Sequence, residues 1–184
     1  GGAQGGLAQP GSKDIANYGI DGGWRSATPA QAETLTKQID AEQVKGAVGR
    51  YKIAKDFAIY ANDDRMYTYS AGLAALNDKF GGVERNIAEG SKGSGNIGLT
   101  KQLERQYGIP EHLANEVMKA RSELRSYFEN GAKGPLPKLS PQSIEGMKYI
   151  ANVGLNNTKG EFDRLSQPIE TAGRYGIPIN KLGL

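Results

Sequence analysis

The sequence predicts an all-α protein: an irregular bundle of about six short-to-medium amphipathic helices with Gly- and Pro-rich connections. Apolar residues recur every three to five positions over long stretches, which is the spacing of one helix face. Alternation of apolar and polar residues never persists, so no strand pattern competes. Pro or a capping residue stands where many of these stretches begin, and Gly stands where several of them end.

The N-terminal half predicts a flexible segment followed by a helical hairpin. Residues 1–27 begin with Gly, Ala, Gln, Pro and Ser, which bury too little apolar surface to repay their ordering entropy. Thr28-Pro29 is a helix start, and the apolar spacing that follows fits one amphipathic helix up to Tyr60. A second apolar stripe begins at Met66 and ends at Gly81-Gly82. We therefore predict a helical hairpin over residues 28–89.

The C-terminal half predicts a helical region over residues 99–184, which a Gly/Ser loop at residues 90–98 separates from the hairpin. A short helix from Leu99 ends at Gly108, and the next one opens at Pro110 and closes at Asn130-Gly131. Each of these boundaries uses the preference for Pro at the first helical turn or Gly just past the last.

Two further helix starts follow in the C-terminal half. Ser140-Pro141 combines a capping residue with a proline at the first helical position. Thr158 and Glu161 have the spacing of a capping box, in which two side chains satisfy backbone N–H groups reciprocally. They predict a separate short helix that stops before Pro168.

Composition narrows the chemistry open to this chain. Its 184 residues include no cysteine and one histidine, which excludes disulfides, thiolate nucleophiles and metal motifs built on paired His or Cys. The glycine-rich run from Gly90 to Gly95 lacks the order of a phosphate-binding loop. The sequence therefore predicts no metal site and no cofactor. The hydrophobic fraction of 38% indicates a thin core, so part of the chain is expected to bury surface against partners.

Charge and hydropathy argue against nucleic acid and membrane as partners. The 23 basic residues are nearly balanced by 20 acidic ones, and Asp56 interrupts the densest basic stretch, which runs from Lys45 to Lys55. No apolar run is long enough to span a membrane, and no signal peptide is evident. We expect a location in a virion or in cytoplasm. Because the chain starts with Gly rather than Met, we also expect a processed segment or part of a longer polypeptide.

Two segments resemble lysozyme-type lytic transglycosylases. In that family a helix-terminal Glu precedes a loop with Gly-Leu-x-Gln; here Glu89 precedes Gly98-Leu99-Thr100-Lys101-Gln102, with the Gln one place late. The family also enters its catalytic helix through a turn like Tyr107-Gly108-Ile109-Pro110, and Glu123 falls in the region of the catalytic Glu. The resemblance implies an enzyme acting on peptidoglycan, or a small bacterial toxin domain, with Glu89 or Glu123 as its acid.

The leading hypothesis is a non-enzymatic structural or interaction protein in a larger assembly, with protein partners or self-association. Aromatic side chains with a polar tip are enriched at interfaces. The single tryptophan, Trp24, and the cluster of Tyr60, Tyr67 and Tyr69 are therefore the candidate interaction residues. In style, the cysteine-free composition rich in Ala, Gly and Gln resembles that of internal or ejected bacteriophage virion proteins.

A short repeat marks the C-terminal end of the sequence. The segment Tyr107-Gly108-Ile109-Pro110 recurs at residues 175–178. Residues 179–184, which follow the second copy, are apolar for a solvated segment. We expect them to dock on the body of the protein or on a neighbouring subunit.

Overall fold

The all-α prediction is confirmed. The computed structural model describes residues 23–37, 39, 41–92 and 97–177, and within these ranges it contains helices and no strand. The predicted flexible segment lies largely outside the described residues, as do residues 93–96 of the predicted Gly/Ser loop. The six α-helices are α1 (Pro29–Lys37), α2 (Ala41–Ala61), α3 (Ser70–Gly90), α4 (Leu99–Tyr107), α5 (Glu111–Glu129) and α6 (Pro141–Arg174). Two 3-10 helices cover Gly23–Ser26 and Asp64–Tyr67.

The chain divides into two compact units. Residues 1–49 and 158–184 form one, called here the terminal unit, and Arg50–Asn157 form the other, called the central unit. Helices α2 and α6 each contribute residues to both units.

Several helix boundaries follow the capping chemistry read from the sequence. The Thr28 N–H donates to Gln31 Oε1 at 2.9 Å, and the Gln31 N–H donates back to Thr28 Oγ1 at 3.2 Å, which is a capping box at the start of α1. Ser140 Oγ accepts the Ser143 N–H at 3.0 Å and caps α6. Gly108 ends α4 with a positive φ of 68°. In these places local chemistry alone sets where a helix begins or ends.

The prediction that one helix runs from Pro29 to Tyr60 is wrong, because α1 ends at Lys37 and α2 begins at Ala41. The prediction that Gly81-Gly82 ends the next helix is also wrong, since α3 continues to Gly90. Gly82 instead permits close helix packing: a Cβ there would lie 2.8 Å from Cγ2 of Ile53 on α2.

The separate helix predicted to start at Thr158 and stop before Pro168 is wrong as well. Helix α6 runs unbroken from Pro141 to Arg174 and contains Pro168. Proline removes a backbone donor and crowds the preceding turn, which ordinarily ends or kinks a helix. Here Pro168 is buried on the same face as Leu165 and Ala172, so burial of that face offsets the cost.

The central unit has a continuous apolar core. At its centre the rings of Phe57 and Phe80 meet edge to face, with centroids 5.5 Å apart. Helices α2 to α6 all contribute buried side chains. The largest fully buried ones are Phe57, Leu73, Leu76, Phe80, Ile87, Leu103, Leu124, Met147 and Ile150.

The terminal unit has a smaller core of its own. Its buried members are Ala27, Ala32, Ile39, Val44, Ala47 and Leu165. Four partly buried side chains pack against them: Val48, Ile169, Tyr175 and Ile177. The Tyr175 hydroxyl donates a hydrogen bond to the Ala27 carbonyl at 2.6 Å, which links the residue after α6 to the segment that precedes α1.

Gly146 and Gly49 give a matched test of this packing. A Cβ on Gly146 would collide with Cγ2 of Val117 and lie 3.1 Å from the Leu113 carbonyl oxygen, whereas a Cβ on Gly49 meets nothing within 4 Å. We expect Gly146→Ala to lower the free energy of unfolding by about 1–3 kcal/mol. Gly49→Ala should raise it by about 0.5–1 kcal/mol through helix propensity. Urea denaturation measures both, and equal stability of the two variants would contradict the close approach of α5 and α6.

Candidate functional site

An open apolar groove lies in the terminal unit between α2 and α6. Val44 and Val48 line it from α2, while Phe162, Leu165 and Ile169 line it from α6. The spacing of four on α2 and of three and four on α6 places these side chains on the facing sides of the two helices. The groove has a volume of about 360 Å³ and is called here the apolar groove.

The groove has a closed floor and walls that water reaches. Val44 and Leu165 are buried, whereas Val48, Phe162 and Ile169 are half-buried and keep apolar surface exposed. Two polar residues of α6, Ser166 and Glu170, complete the lining. Such a lining suits apolar side chains from another segment of protein, with a carboxylate available at the rim.

The sequence predicts only part of the apolar surface that lines this groove. Phe162 and Leu165 are apolar positions of the helix that it placed after Thr158. The partners on α2 stand more than a hundred residues earlier in the chain, and nothing in the local pattern links the two segments. The groove therefore emerges only once the fold brings α2 beside α6.

The three predicted interaction tyrosines do not form one exposed aromatic surface. Tyr60 is half-buried against the central core, with Lys79 Nζ 6.0 Å from its ring centroid. Tyr67 is also half-buried and donates its hydroxyl to the Ala61 carbonyl at 2.7 Å. Tyr69 is the exposed member, at 43% of its full accessibility. Trp24 belongs to the 3-10 helix Gly23–Ser26, and its side chain lies outside the described part.

Two further large side chains of the central unit are exposed, and one of them, Ile59, is more exposed than any of those tyrosines. Ile59 on α2 is 60% exposed, and Tyr149 on α6 is 36% exposed with its hydroxyl bonded to the Gly108 carbonyl at 3.1 Å. Asn62 Nδ2 donates to Asn152 Oδ1 at 2.9 Å and links the residue after α2 to α6. Because Ile59 and Tyr149 are separate side chains rather than a lined groove, they form a weaker interaction feature than the apolar groove.

The two candidate acids lie in different surroundings. Glu89 is exposed in the last turn of α3 and pairs with Lys92 at 3.2 Å. Glu123 is exposed on α5 and lines a small polar groove of about 140 Å³ together with Glu116. The same groove is lined by Lys119, Ala120, Lys138, Leu139, Ser140 and Ser143. The structure thus does not place Glu89 beside Glu123, and each acid is open to solvent.

Several other polar residues of the described part form ion pairs on the surface. Lys45 pairs with Glu42 at 4.0 Å and Lys79 with Asp56 at 3.8 Å, so basic and acidic side chains alternate on the surface. His112 is exposed in the first turn of α5. Among the described residues no cluster of His, Cys, Asp or Glu could hold a metal ion, and no helix is long and apolar enough to cross a membrane.

Comparison with protein-family models, with curated proteins and with solved structures found no match for this chain.

Burial raises the pKa values of two tyrosines in the central unit. Burial raises the pKa of Tyr107 to about 12, and burial followed by the nearby Asp64 carboxylate raises the pKa of Tyr67. The Tyr107 ring packs against Gly154, where a Cβ would lie 3.2 Å from Cε1. Both groups stay neutral in the folded chain at a pH where an exposed phenol ionises.

Stability should therefore fall in alkali. Because the pKa of Tyr107 is higher in the folded chain than in the unfolded one, its contribution is full below pH 10 and is lost as the pH rises toward 12. We expect Tyr107→Phe to remove about 2–3 kcal/mol of that loss. Denaturation at a series of pH values measures how the free energy of unfolding changes with pH. If the free energy of unfolding changed with pH in the same way for wild type and variant from pH 9 to pH 12, the predicted contribution of Tyr107 would be contradicted.

Proposed function

We propose that this chain is a non-enzymatic interaction protein that works inside a larger assembly through the apolar groove. The observation that carries the proposal is the groove itself: Val48, Phe162 and Ile169 present apolar surface to solvent in one lined depression. Contiguous apolar depressions on soluble proteins are typical of contact sites for other proteins.

The groove has the form used to bind a helix or an extended segment. Two helices supply its walls, and its length follows α6 from Phe162 to Glu170. Recognition of this kind places apolar side chains at regular spacing into the groove and leaves polar ones at the rim. Each Leu, Ile or Val side chain that becomes buried contributes about 1.5–3 kcal/mol.

A bacteriophage virion is the assembly we propose. The composition of the sequence supports this proposal, because it lacks cysteine and contains 26 glycines among many short polar connections. A virion component works beside many copies of itself or of other proteins, and open apolar surface then becomes covered.

Sedimentation velocity tests the role of the groove in association. We expect the mass of the wild type to rise above 19.7 kDa as its concentration increases. Val48→Asp places a charge in the apolar wall and should raise the concentration needed for association at least about tenfold, since a lost apolar contact is worth more than 1.4 kcal/mol. Ser166→Lys fills the polar side of the groove and should also raise the concentration needed for association.

Gln43→Asp is the matched control, because it adds the same charge to an exposed position of α2 outside the groove. This control should associate like the wild type, and circular dichroism should confirm that every variant stays folded. A wild type that remains at 19.7 kDa throughout and unfolds in one sharp transition would defeat the assembly role.

The alternative, a peptidoglycan-acting enzyme or toxin domain, has one supporting observation. Glu123 and Glu116 line the same small polar groove, and paired carboxylates can hydrolyse a glycosidic bond. Loss of turbidity of a cell-wall suspension tests it with wild type, Glu123→Gln and Glu89→Gln. If the chain were such an enzyme, wild type would clear the suspension and one of the two variants would lose at least about 100-fold in rate. We expect no clearing from any of the three.

A further inference from the structure

The turn that ends α5 contains the only Asn-Gly pair of the sequence, Asn130-Gly131. Asn130 is the C-terminal cap residue of the helix, and both residues are exposed. Gly131 has a positive φ of 82°, a conformation that glycine adopts without a steric penalty. The chain therefore leaves α5 through a sharp turn that is open to water.

An Asn-Gly pair can lose ammonia without an enzyme. The deprotonated backbone nitrogen of the glycine attacks the side-chain carbonyl carbon of the asparagine, a C–N bond closes a five-membered succinimide, and the side-chain nitrogen leaves as ammonia. Water then opens the ring at either carbonyl. One product is aspartate, and the other is isoaspartate, in which the main chain runs through the side-chain carboxyl carbon. Glycine favours the attack because no Cβ crowds its nitrogen.

The carboxamide of Asn130 is available for this reaction. Within the described ranges the backbone N–H of Asn130 donates to the Ser126 carbonyl at 3.0 Å, but its carboxamide makes no hydrogen bond there. The carboxamide of Asn62 is different, because it donates to the Ala58 carbonyl at 3.0 Å and to Asn152 Oδ1 at 2.9 Å. Asn62 therefore serves as an internal reference for Asn130.

The cap of α5 holds the reacting atoms apart. The Gly131 N–H donates to the Phe128 carbonyl at 3.2 Å, and the Ala132 N–H donates to the Tyr127 carbonyl at 2.9 Å. The Tyr127 hydroxyl donates back to the Ala132 carbonyl at 3.1 Å. Ring closure requires Asn130 Cβ and the Gly131 nitrogen to be eclipsed about the Cα–C bond, and they are not eclipsed at the Asn130 ψ of 16°. The turn must therefore open before the reaction can occur.

Opening this turn exposes little that is buried. All residues from 129 to 136 are already exposed, so releasing them from the end of α5 breaks hydrogen bonds but uncovers no core side chain. Local openings of this kind need much less free energy than global unfolding. The folded protein should consequently pass through the reactive conformation often.

We propose that Asn130-Gly131 is a site of spontaneous deamidation in the folded protein and that the cap of α5 sets its rate. Isoaspartate adds a methylene group to the main chain at the cap, so the N–H groups of Gly131 and Ala132 can no longer both reach their carbonyls on α5. The connection between α5 and α6 then detaches from the end of α5. This inference is independent of the apolar groove.

Peptide mapping by mass spectrometry follows the reaction in the intact protein. Trypsin releases residues 126–133 around Asn130 and residues 56–65 around Asn62. After incubation of the folded protein in mild alkali, we expect the first peptide to gain the mass difference between OH and NH2 and to separate into aspartate and isoaspartate forms. The second peptide should stay unchanged. If the first peptide also stayed unchanged in the folded protein and converted only in denaturant, the proposal would be overturned.

Tyr127→Phe tests whether the cap sets the rate. Removing the hydroxyl that donates to the Ala132 carbonyl should raise the rate in the folded protein about two- to tenfold, as expected for one lost hydrogen bond. In denaturant the variant and the wild type should react equally fast. Tyr149→Phe is the matched control, because its hydroxyl donates to the Gly108 carbonyl away from this turn, and it should react like the wild type. Equal rates for folded Tyr127→Phe and wild type would contradict control by the cap.

Brief digestion of the folded protein tests the effect of the product. The isoaspartate form, isolated by ion exchange, should be cut by trypsin after the exposed Lys133 at least about fivefold faster than the unmodified chain, because protease sites require a released backbone. Asn130→Asp has the same added charge with a normal main chain and should be cut like the unmodified chain. Equal cleavage of the isoaspartate form and the unmodified chain would show that the connection stays attached to α5 and would overturn that part of the inference.

Discussion

A buried guanidinium joins two helices of the central unit, α3 and α5. Arg121 is 8% exposed on α5, and its Nε donates to Glu84 Oε1 on α3 at 2.5 Å. Its Nη1 donates to the Asn77 carbonyl at 2.9 Å and to the Asn77 side chain, while its guanidinium carbon lies 5.6 Å from the Phe80 ring centroid. A buried charge is stable only when such partners replace its water. This requirement fixes α3 against α5 in rotation and along their axes.

The packing of the neighbouring helices depends on that arrangement. Arg125, one turn later on α5, shares the Glu84 carboxylate at 3.3 Å. With α5 fixed in this way, Val117 and Leu113 face α6, and only glycine fits opposite them at position 146. The central core is thus specified by directional polar contacts as well as by apolar burial. The core of the terminal unit is different, because its members are small or aliphatic and its apolar wall stays open at Val48 and Ile169.

The sequence predicted the elements whose signals are local. The caps at Thr28 and Ser140 and the Gly108 stop depend on hydrogen bonds or φ angles within four residues, and each is where the sequence placed it. The predictions that helices end at Gly82 and before Pro168 are wrong, because tertiary packing there outweighs the local propensity to end a helix. Local sequence signals do not predict the apolar groove. Its walls come from distant segments, and the tyrosines expected at an interface make contacts within the central unit that only the fold reveals.

The linings of the apolar groove and of the small polar groove favour binding over catalysis. A catalytic carboxylate gains its reactivity from partial burial and from neighbours that shift its pKa. Glu89 and Glu123 are both exposed, and lysines share their surroundings. The apolar groove has the opposite character: its surface is nearly all hydrocarbon, and Glu170 is the one titratable group in its described lining. Apolar surface of this kind lowers the free energy of the system when it is removed from water. We therefore propose association, rather than catalysis, as the use of that groove.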